Sequence, residues 1–372
     1  MAAPKTTVWD LEPHTRAKHE ILRRYLDAWL PILSRGQFPT MLYIDGFAGP
    51  GVYSNGEDGS PIIAIKRALA VGIPATTELH FFFVEKDPER AQSLQQLVEA
   101  IALPKNFHVT VAGGVTFEEG FGQVLKQFNG KLPATFAFID PFGWAVPFEI
   151  VKTIMAKPSC EVLINFMYEE INRFIGKPDQ EANFDRFFGT KAWRECGAIQ
   201  GDPKARDRCL HDLYMRQLKE GARAKFVRSF QMRNDRDGID YYLFYATNNE
   251  IGLSVMKDAM WKVDKTGEFR FSDATNFDQM ILFEPEPPPD KLRAQMWRYF
   301  SEQEVNVGNV IAWVVQETAF RAAHVRAALK SLETASPPAV NPVNPPADRK
   351  RGTYPERYLG MRLRFTRWPG AT

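Results

Sequence analysis

Two short runs carry the residue types that could do chemistry. The first is Ile44-Asp45-Gly46-Phe47-Ala48-Gly49-Pro50-Gly51, and the second is Ile139-Asp140-Pro141-Phe142-Gly143. In each, apolar residues lead into an acid and a tight turn. Glycines in the first turn lack a Cβ, so the backbone can approach a ligand closely. The order is not that of a dinucleotide fingerprint, in which a helix N-terminus follows at once and holds the pyrophosphate. Here Tyr53 to Gly59 intervene before a helix signal at Ser60-Pro61. No Gly-Lys-Ser/Thr follows either, which excludes a P-loop. Asp45 would repel a phosphate but can accept from a cationic amino group, which suits a nucleoside carrying methionine.

Glu85 closes the apolar run Phe81-Phe82-Phe83-Val84. A carboxylate there can accept both hydroxyls of a ribose, whether of a nicotinamide cofactor or of another nucleoside. Gly113-Gly114 permits close approach to an adenine ring. In the second run, the Asp140 side chain and the Pro141 carbonyl are acceptors that can fix an exocyclic amine. Phe142 can stack on a flat base, and Gly143 completes the turn. Catalysis by such a loop would come from orientation and electrostatics. A base buried in a duplex would have to be flipped out to reach it.

These turns need strands to carry them. Apolar spacing predicts a helix over Thr15–Leu33, then alternating strands and helices. Strands are expected at Thr40–Ile44, Leu79–Val84, Phe107–Ala112, Thr135–Ile139 and Glu161–Phe166. Helices are expected from Ser60, with Ser60 as cap, from Asp87-Pro88 to about Ala100, and over Thr116–Phe128 and Phe148–Ala156. The strands read as continuously apolar, as in a parallel sheet covered on both faces. The fold class is therefore α/β, a doubly wound, mainly parallel, Rossmann-like sheet, and both acidic turns lie at carboxyl ends of its strands. Residues from about 168 to 221 read as a helical insertion. Lys225–Met232 and Tyr241–Ala246 read as an antiparallel pair around Asn234–Gly238.

The proline-rich stretch Phe283–Asp290 predicts a linker at 284–290, separating a domain over 1–283 from a module over 291–368. That module reads as three helices, Lys291–Phe300, Val307–Thr318 and Arg321–Glu333, then a basic hairpin ending at Phe365. Ser336–Pro346 reads as a loop. Helix-helix-helix-wing is the winged-helix pattern, in which the third helix enters a groove and wing residues hold phosphates. From Lys291 onward there are 13 Lys/Arg against 6 Asp/Glu, although the whole chain carries only +2. The expected nucleic-acid contacts are Arg321, Arg326, Lys330, Arg349, Lys350, Arg351, Arg362 and Arg364.

Composition narrows the remaining classes. Hydrophobic residues make up 44% and charged residues 25%, which is ordinary for a globular core. No apolar run approaches the ~20 residues of a bilayer span, so no membrane association is expected. The three cysteines, Cys160, Cys196 and Cys209, show neither zinc spacing nor a disulfide framework, which suits the cytoplasm. Scattered histidines give no metal site.

Taken together, these motifs resemble the bacterial three-Cys-motif partner proteins over nearly the whole chain. The resemblance rests on Trp9, Pro13-His14-Thr15, Lys18, Tyr43–Gly51, Gly59-Ser60-Pro61, Phe138–Gly143, Tyr241–Trp261, Thr318–Leu332 and Arg349–Phe365. It implies a class I methyltransferase fold with S-adenosyl-L-methionine as cofactor, and adds Lys18 to the cofactor-binding residues. It also implies a partner, a radical-SAM-like protein bearing the three-cysteine motif. The Asp-Pro-Phe-Gly loop is similar to that of guanine-N2 methyltransferases, whereas amino-adenine enzymes more often have a second proline. The expected activity is methylation of an exocyclic amine on a nucleic-acid base, RNA before DNA. The alternative is a silent nucleic-acid-binding adaptor of the same fold.

Overall fold

The computed structural model describes residues 6–36, 38–234, 236, 238–264, 269–272 and 289–369. These divide into two compact units, 6–263 with 270–272, and 264 and 269 with 289–369. The expected linker lies outside the described residues, except that Pro289 and Asp290 open a helix.

The first unit begins with α1 (Pro13–Ser34), which buries Ile21, Leu22, Tyr25, Leu26, Trp29 and Leu30 along one stripe. There follow β1 (Thr40–Asp45), α2 (Ser60–Val71), β2 (Glu78–Glu85), α3 (Pro88–Glu99), β3 (Phe107–Gly113), α4 (Phe117–Gln127), β4 (Ala134–Ile139), α5 (Phe148–Met155) and β5 (Cys160–Phe166). Asp87 caps α3 by accepting from the amides of Glu89 and Arg90, and Thr116 and Glu119 form a capping box on α4. Ser60 is the first helical residue of α2 and Gly59 is the cap, a shift of one from the expected boundary.

The insertion supplies α6 (Tyr168–Phe174), α7 (Glu181–Phe188), α8 (Trp193–Gly197) and α9 (Pro203–Arg216). Its core is aromatic, with Phe187 stacked on Tyr214 at 5.3 Å. Cys196 and Cys209 are joined in a disulfide between α8 and α9, their Cα atoms 5.4 Å apart. This corrects the sequence expectation. The packing of two short helices decides the pairing, and spacing along the chain does not reveal it. Cys160 is buried and free.

β6 (Phe226–Arg233), β7 (Ile239–Thr247), α10 (Glu250–Val263) and β8 (Arg270–Ser272) complete the unit. The eight strands run in the order β3-β2-β1-β4-β5-β7-β6-β8. β7 is antiparallel to both β5 and β6, and the β1–β5 pairings are all parallel. This is the doubly wound α/β sheet expected. β1, β4 and β5 are buried almost throughout, but β3 alternates because it is an edge strand with one face exposed. β8, too short to read from sequence, pairs parallel with β6. Asp235 and Asp237 of the hairpin turn lie outside the described residues.

The second unit contains α11 (Pro289–Tyr299), β9 (Glu304–Asn306), α12 (Val307–Glu317), α13 (Ala322–Thr334), β10 (Val340–Val343) and β11 (Arg362–Phe365). The strands form an antiparallel sheet in the order β10-β11-β9. β10 falls in the stretch expected to be a loop. Pro342 hid it from the sequence reading, and an edge strand tolerates the missing donor. Val325, Ala328, Leu329 and Leu332 of α13 face the core.

Candidate active site

In the first unit a cavity of about 320 Å³ opens at the carboxyl ends of the central strands. β1 and β4 are adjacent, and from them the strand order departs in opposite directions. That switch point splays the two turns apart and leaves a crevice between them.

The first turn is stapled down at several places. Gly46 N donates to the Phe138 carbonyl of β4 at 3.0 Å, and Ala48 N donates to the Val84 carbonyl of β2 at 2.9 Å. Gly49 N donates to the Glu85 carboxylate at 2.8 Å. Gly51 has φ +84°, and a Cβ there would sit 2.8 Å from the Leu94 side chain, so glycine is required. Phe47, Ala48, Gly49 and Gly51 line the cavity, as expected. Asp45 and Gly46 do not. Asp45 is fully buried, because β1 is an interior strand and the turn folds over its end. Burial pushes the Asp45 carboxyl up to about 7, against the opposing pull of Ser60 and the Phe47 amide. Asp45 therefore supports the turn from behind and does not reach the cavity.

Glu85 lines the cavity from the end of β2. Its second oxygen accepts from Asp87 N at 2.8 Å. Each oxygen keeps a further lone pair for a ligand hydroxyl. Gly114 lies at the end of the edge strand, outside the cavity lining.

The second turn contributes Asp140, Pro141 and Phe142 to the same cavity. The β4–β5 register pairs Ile139 with Ile164, which brings Asn165 beside Asp140. Asn165 Nδ2 donates to Asp140 Oδ1 at 2.6 Å, and Lys18 Nζ lies 2.5 Å from Asp140 Oδ2. Lys18 is 5% exposed and comes from α1, so the first helix delivers an ammonium to the second turn. Asn165 Oδ1 is buried and has no hydrogen-bond partner. It is an acceptor waiting beside Asp140. Gly143 faces a second cavity instead.

Several lining residues were not among the site residues expected from the sequence. Trp9 packs edge-on against Tyr53 at 5.9 Å and Phe142 at 6.2 Å, with the Arg90 guanidinium 4.9 Å from its ring. His19 is buried next to Lys18, and burial chiefly holds it neutral, down to about 3. Glu12 and His14 pair at 2.9 Å on the same wall. Asn165 is a polar residue in an apolar strand end, a sequence signal in itself, but its partner depends on sheet order. No metal-binding group occurs among the described residues, and none of their helices is long and apolar enough to cross a membrane.

In the second unit the expected nucleic-acid residues behave differently from one another. The Arg349 side chain is 4% exposed and forms an ion pair with Glu333 at 2.5 Å, so it is committed inside the fold. Arg351 donates to the Glu333 carbonyl, while Lys330 and Lys350 are exposed. Arg326 lies 3.8 Å from Glu356 on the surface. Arg362 and Arg364 are both exposed and share Glu304. Arg321 stands at the N-cap of α13 beside His324.

No protein-family model matches the chain, and no curated protein matches it. Among solved structures, it is similar to an O-methyltransferase from Bacillus cereus in complex with SAH. The identity is 15% and the TM-score 0.34, over 64% of this chain and 82% of that one. A cyclopropane synthase from Mycobacterium tuberculosis matches at 14% and 0.27, over 67% and 69%. A Legionella pneumophila protein matches at 15% and 0.34, over 61% and 84%.

Proposed function

We propose that the chain is an S-adenosylmethionine-dependent methyltransferase acting on an exocyclic amine of a nucleic-acid base, RNA before DNA. The observation that carries this reading is the charge of the cavity. Asp10, Glu12, Glu85 and Asp140 line it against the single ammonium of Lys18, and Trp9, Tyr53 and Phe142 supply electron-rich rings. Such a cavity repels phosphates, which opposes a dinucleotide, and attracts a cationic nucleoside. S-adenosylmethionine fits, and when bound it supplies an electrophilic sulfonium methyl. Glu85 would hold the ribose hydroxyls, and the Phe47–Gly51 backbone would pack against the nucleoside. The strand order with β7 antiparallel is also that of the class I methyltransferase sheet.

Asp140 and Asn165 then have a clear task. The carboxylate and the unpaired Asn165 Oδ1 accept the two hydrogens of the target amine and aim its lone pair. Bound S-adenosylmethionine would supply the methyl group to the amine nitrogen, and the proton that the amine gives up would pass by way of Asp140 to solvent. Lys18 pins Asp140 in place. Phe142, 43% exposed, offers a face for the base. The second unit, read as a winged helix, would hold the polynucleotide through Arg326, Lys330, Lys350, Arg351, Arg362 and Arg364.

Calorimetry with S-adenosylmethionine tests the first half, and absence of binding would overturn it. Radiolabelled methyl transfer to total RNA and to genomic DNA, followed by nucleoside analysis, tests the second.

A further inference from the structure

The insertion carries its own run of positive charge. From Pro203 to Lys225, seven Lys/Arg stand against three Asp/Glu. Lys204, Arg208 and Arg216 recur at spacings of four and eight along α9, on the side opposite the buried Leu210, Leu213 and Tyr214. That spreads them over ~18 Å of helix axis. A π-helical turn, Gln217–Gly221, continues α9 and presents Lys219, and Arg223 and Lys225 follow before β6. All six are exposed, and none pairs with a carboxylate among the described residues. Of the acids on this stretch, Asp207 accepts from Tyr242 and Asp212 is turned to His211 at 2.9 Å, while Glu220 is exposed. Arg326, Arg362 and Arg364 of the second unit, by contrast, each lie against a glutamate.

The ribbon of charge has a direction. Met167 lines the cavity and is followed at once by α6, to which Arg206 ties the first turn of α9 through Asn172 at 3.1 Å. Lys225 leads into β6, whose Phe226 pairs with Thr247, itself opposite Glu161 near the start of β5. The six cations therefore run along the sheet from its cavity end to its other end.

We propose that this ribbon is a track for a polynucleotide backbone, leading a strand to the cavity. The proposal rests on the nucleic-acid half of the reading above and places part of the grip on the first unit. A phosphate chain suits a row of cations, because each Lys or Arg that meets a phosphate releases condensed counterions. A bilayer surface does not suit it. A helix lying in that interface turns its apolar face toward lipid. The apolar face of α9 is buried on the sheet, with Tyr214 packed on Phe166 at 4.9 Å and on Phe244 at 5.1 Å. No large apolar side chain of this stretch is exposed.

The test uses the full chain and a fluorescein-labelled single-stranded RNA of about 20 nucleotides, long enough to span track and cavity. One variant combines Lys204→Gln, Arg208→Gln, Arg216→Gln and Lys219→Gln. A control removes the same charge from scattered exposed sites, by Lys105→Gln, Lys126→Gln, Lys131→Gln and Lys157→Gln. Both should unfold at the wild-type temperature. By anisotropy, the track variant should bind at least about tenfold more weakly at low salt, and its plot of log K against log salt should flatten by about 3. The control should keep the wild-type slope to within about 1. RNA binding that the track variant leaves unchanged, or that the control weakens equally, overturns the proposal while the nucleic-acid reading stands. Displacement of the RNA by poly-glutamate or anionic vesicles at equal charge also overturns it, in favour of an acidic protein or a membrane. A wild-type chain that binds neither RNA nor DNA overturns the nucleic-acid reading itself, and the track with it.

Discussion

Asp45 and Asp140 look alike in sequence, each an acid that ends an apolar strand and opens a turn. The fold separates them. Asp45 is sealed behind its turn with a carboxyl raised to about 7, whereas Asp140 is 21% exposed at its side chain and held between Lys18 and Asn165. One acid shapes the turn and the other faces the cavity. The strand end predicts that something acidic will sit near the crevice. Which side of the backbone wall it occupies depends on the neighbours that fold over it.

The sharpest way to break this contrast is Asp140→Ala. Methyl transfer should fall by about 10²–10⁴-fold, with S-adenosylhomocysteine affinity nearly unchanged by calorimetry. Equal loss of both would mean that Asp140 serves the cofactor and that the division of labour is wrong. Lys18→Met should come next. It strips the ammonium from a nearly buried pair, and a loss of about 1–3 kcal/mol in denaturant unfolding is expected, together with reduced transfer.

Asp45 gives a signature in pH. Its folded-state value lies above that of the unfolded chain, so its contribution is complete below about pH 4 and is lost as pH rises through about 7. Asp45→Asn should therefore gain stability relative to wild type between pH 4.5 and 7.5, by about 3 kcal/mol. Urea unfolding at the two pH values measures it, and a pH-independent difference would place the Asp45 carboxyl in contact with water.

The second unit repeats the contrast with arginines. Arg349→Met should cost on the order of 3 kcal/mol in stability, because Glu333 would be left buried without its counter-ion. Arg362→Met should leave stability within about 0.5 kcal/mol and lower the salt slope of RNA binding by about 1. Thermal unfolding and anisotropy at several salt concentrations separate the two.

The sequence made some of this legible and not the rest, for physical reasons. Glu85 and Asp140 were read toward the cavity because strand ends and turns are local patterns, whereas the same pattern in Asp45 put a carboxylate behind the turn. Gly49 and Gly51 followed from the same logic. Lys18, Asn165 and Trp9 meet at the cavity only because of sheet order and the path of α1, which no short spacing encodes. The resemblance suggested Lys18 but not its contact with Asp140. Arg349 read as a wing residue since a charge run looks solvated until Glu333 is found beneath it. The Cys196–Cys209 bond and β10 were missed alike, the one depending on two packed helices and the other masked by a proline.

The loop between Gly51 and Gly59 closes on itself. Gly59 N donates to the Gly51 carbonyl at 2.8 Å, Val52 bridges Asp58, and a Cβ on Gly59 would lie 3.0 Å from the Gly51 backbone. The outermost residues, Ser54, Asn55 and Gly56, are exposed, while Tyr53 beside them lines the cavity. Because the ends are pinned, lengthening the tip costs little closure entropy, about 0.6 kcal/mol per doubling. The tip is thus a natural mounting point for a dye, one residue from the cavity wall, that would convert occupancy of the crevice into an optical signal.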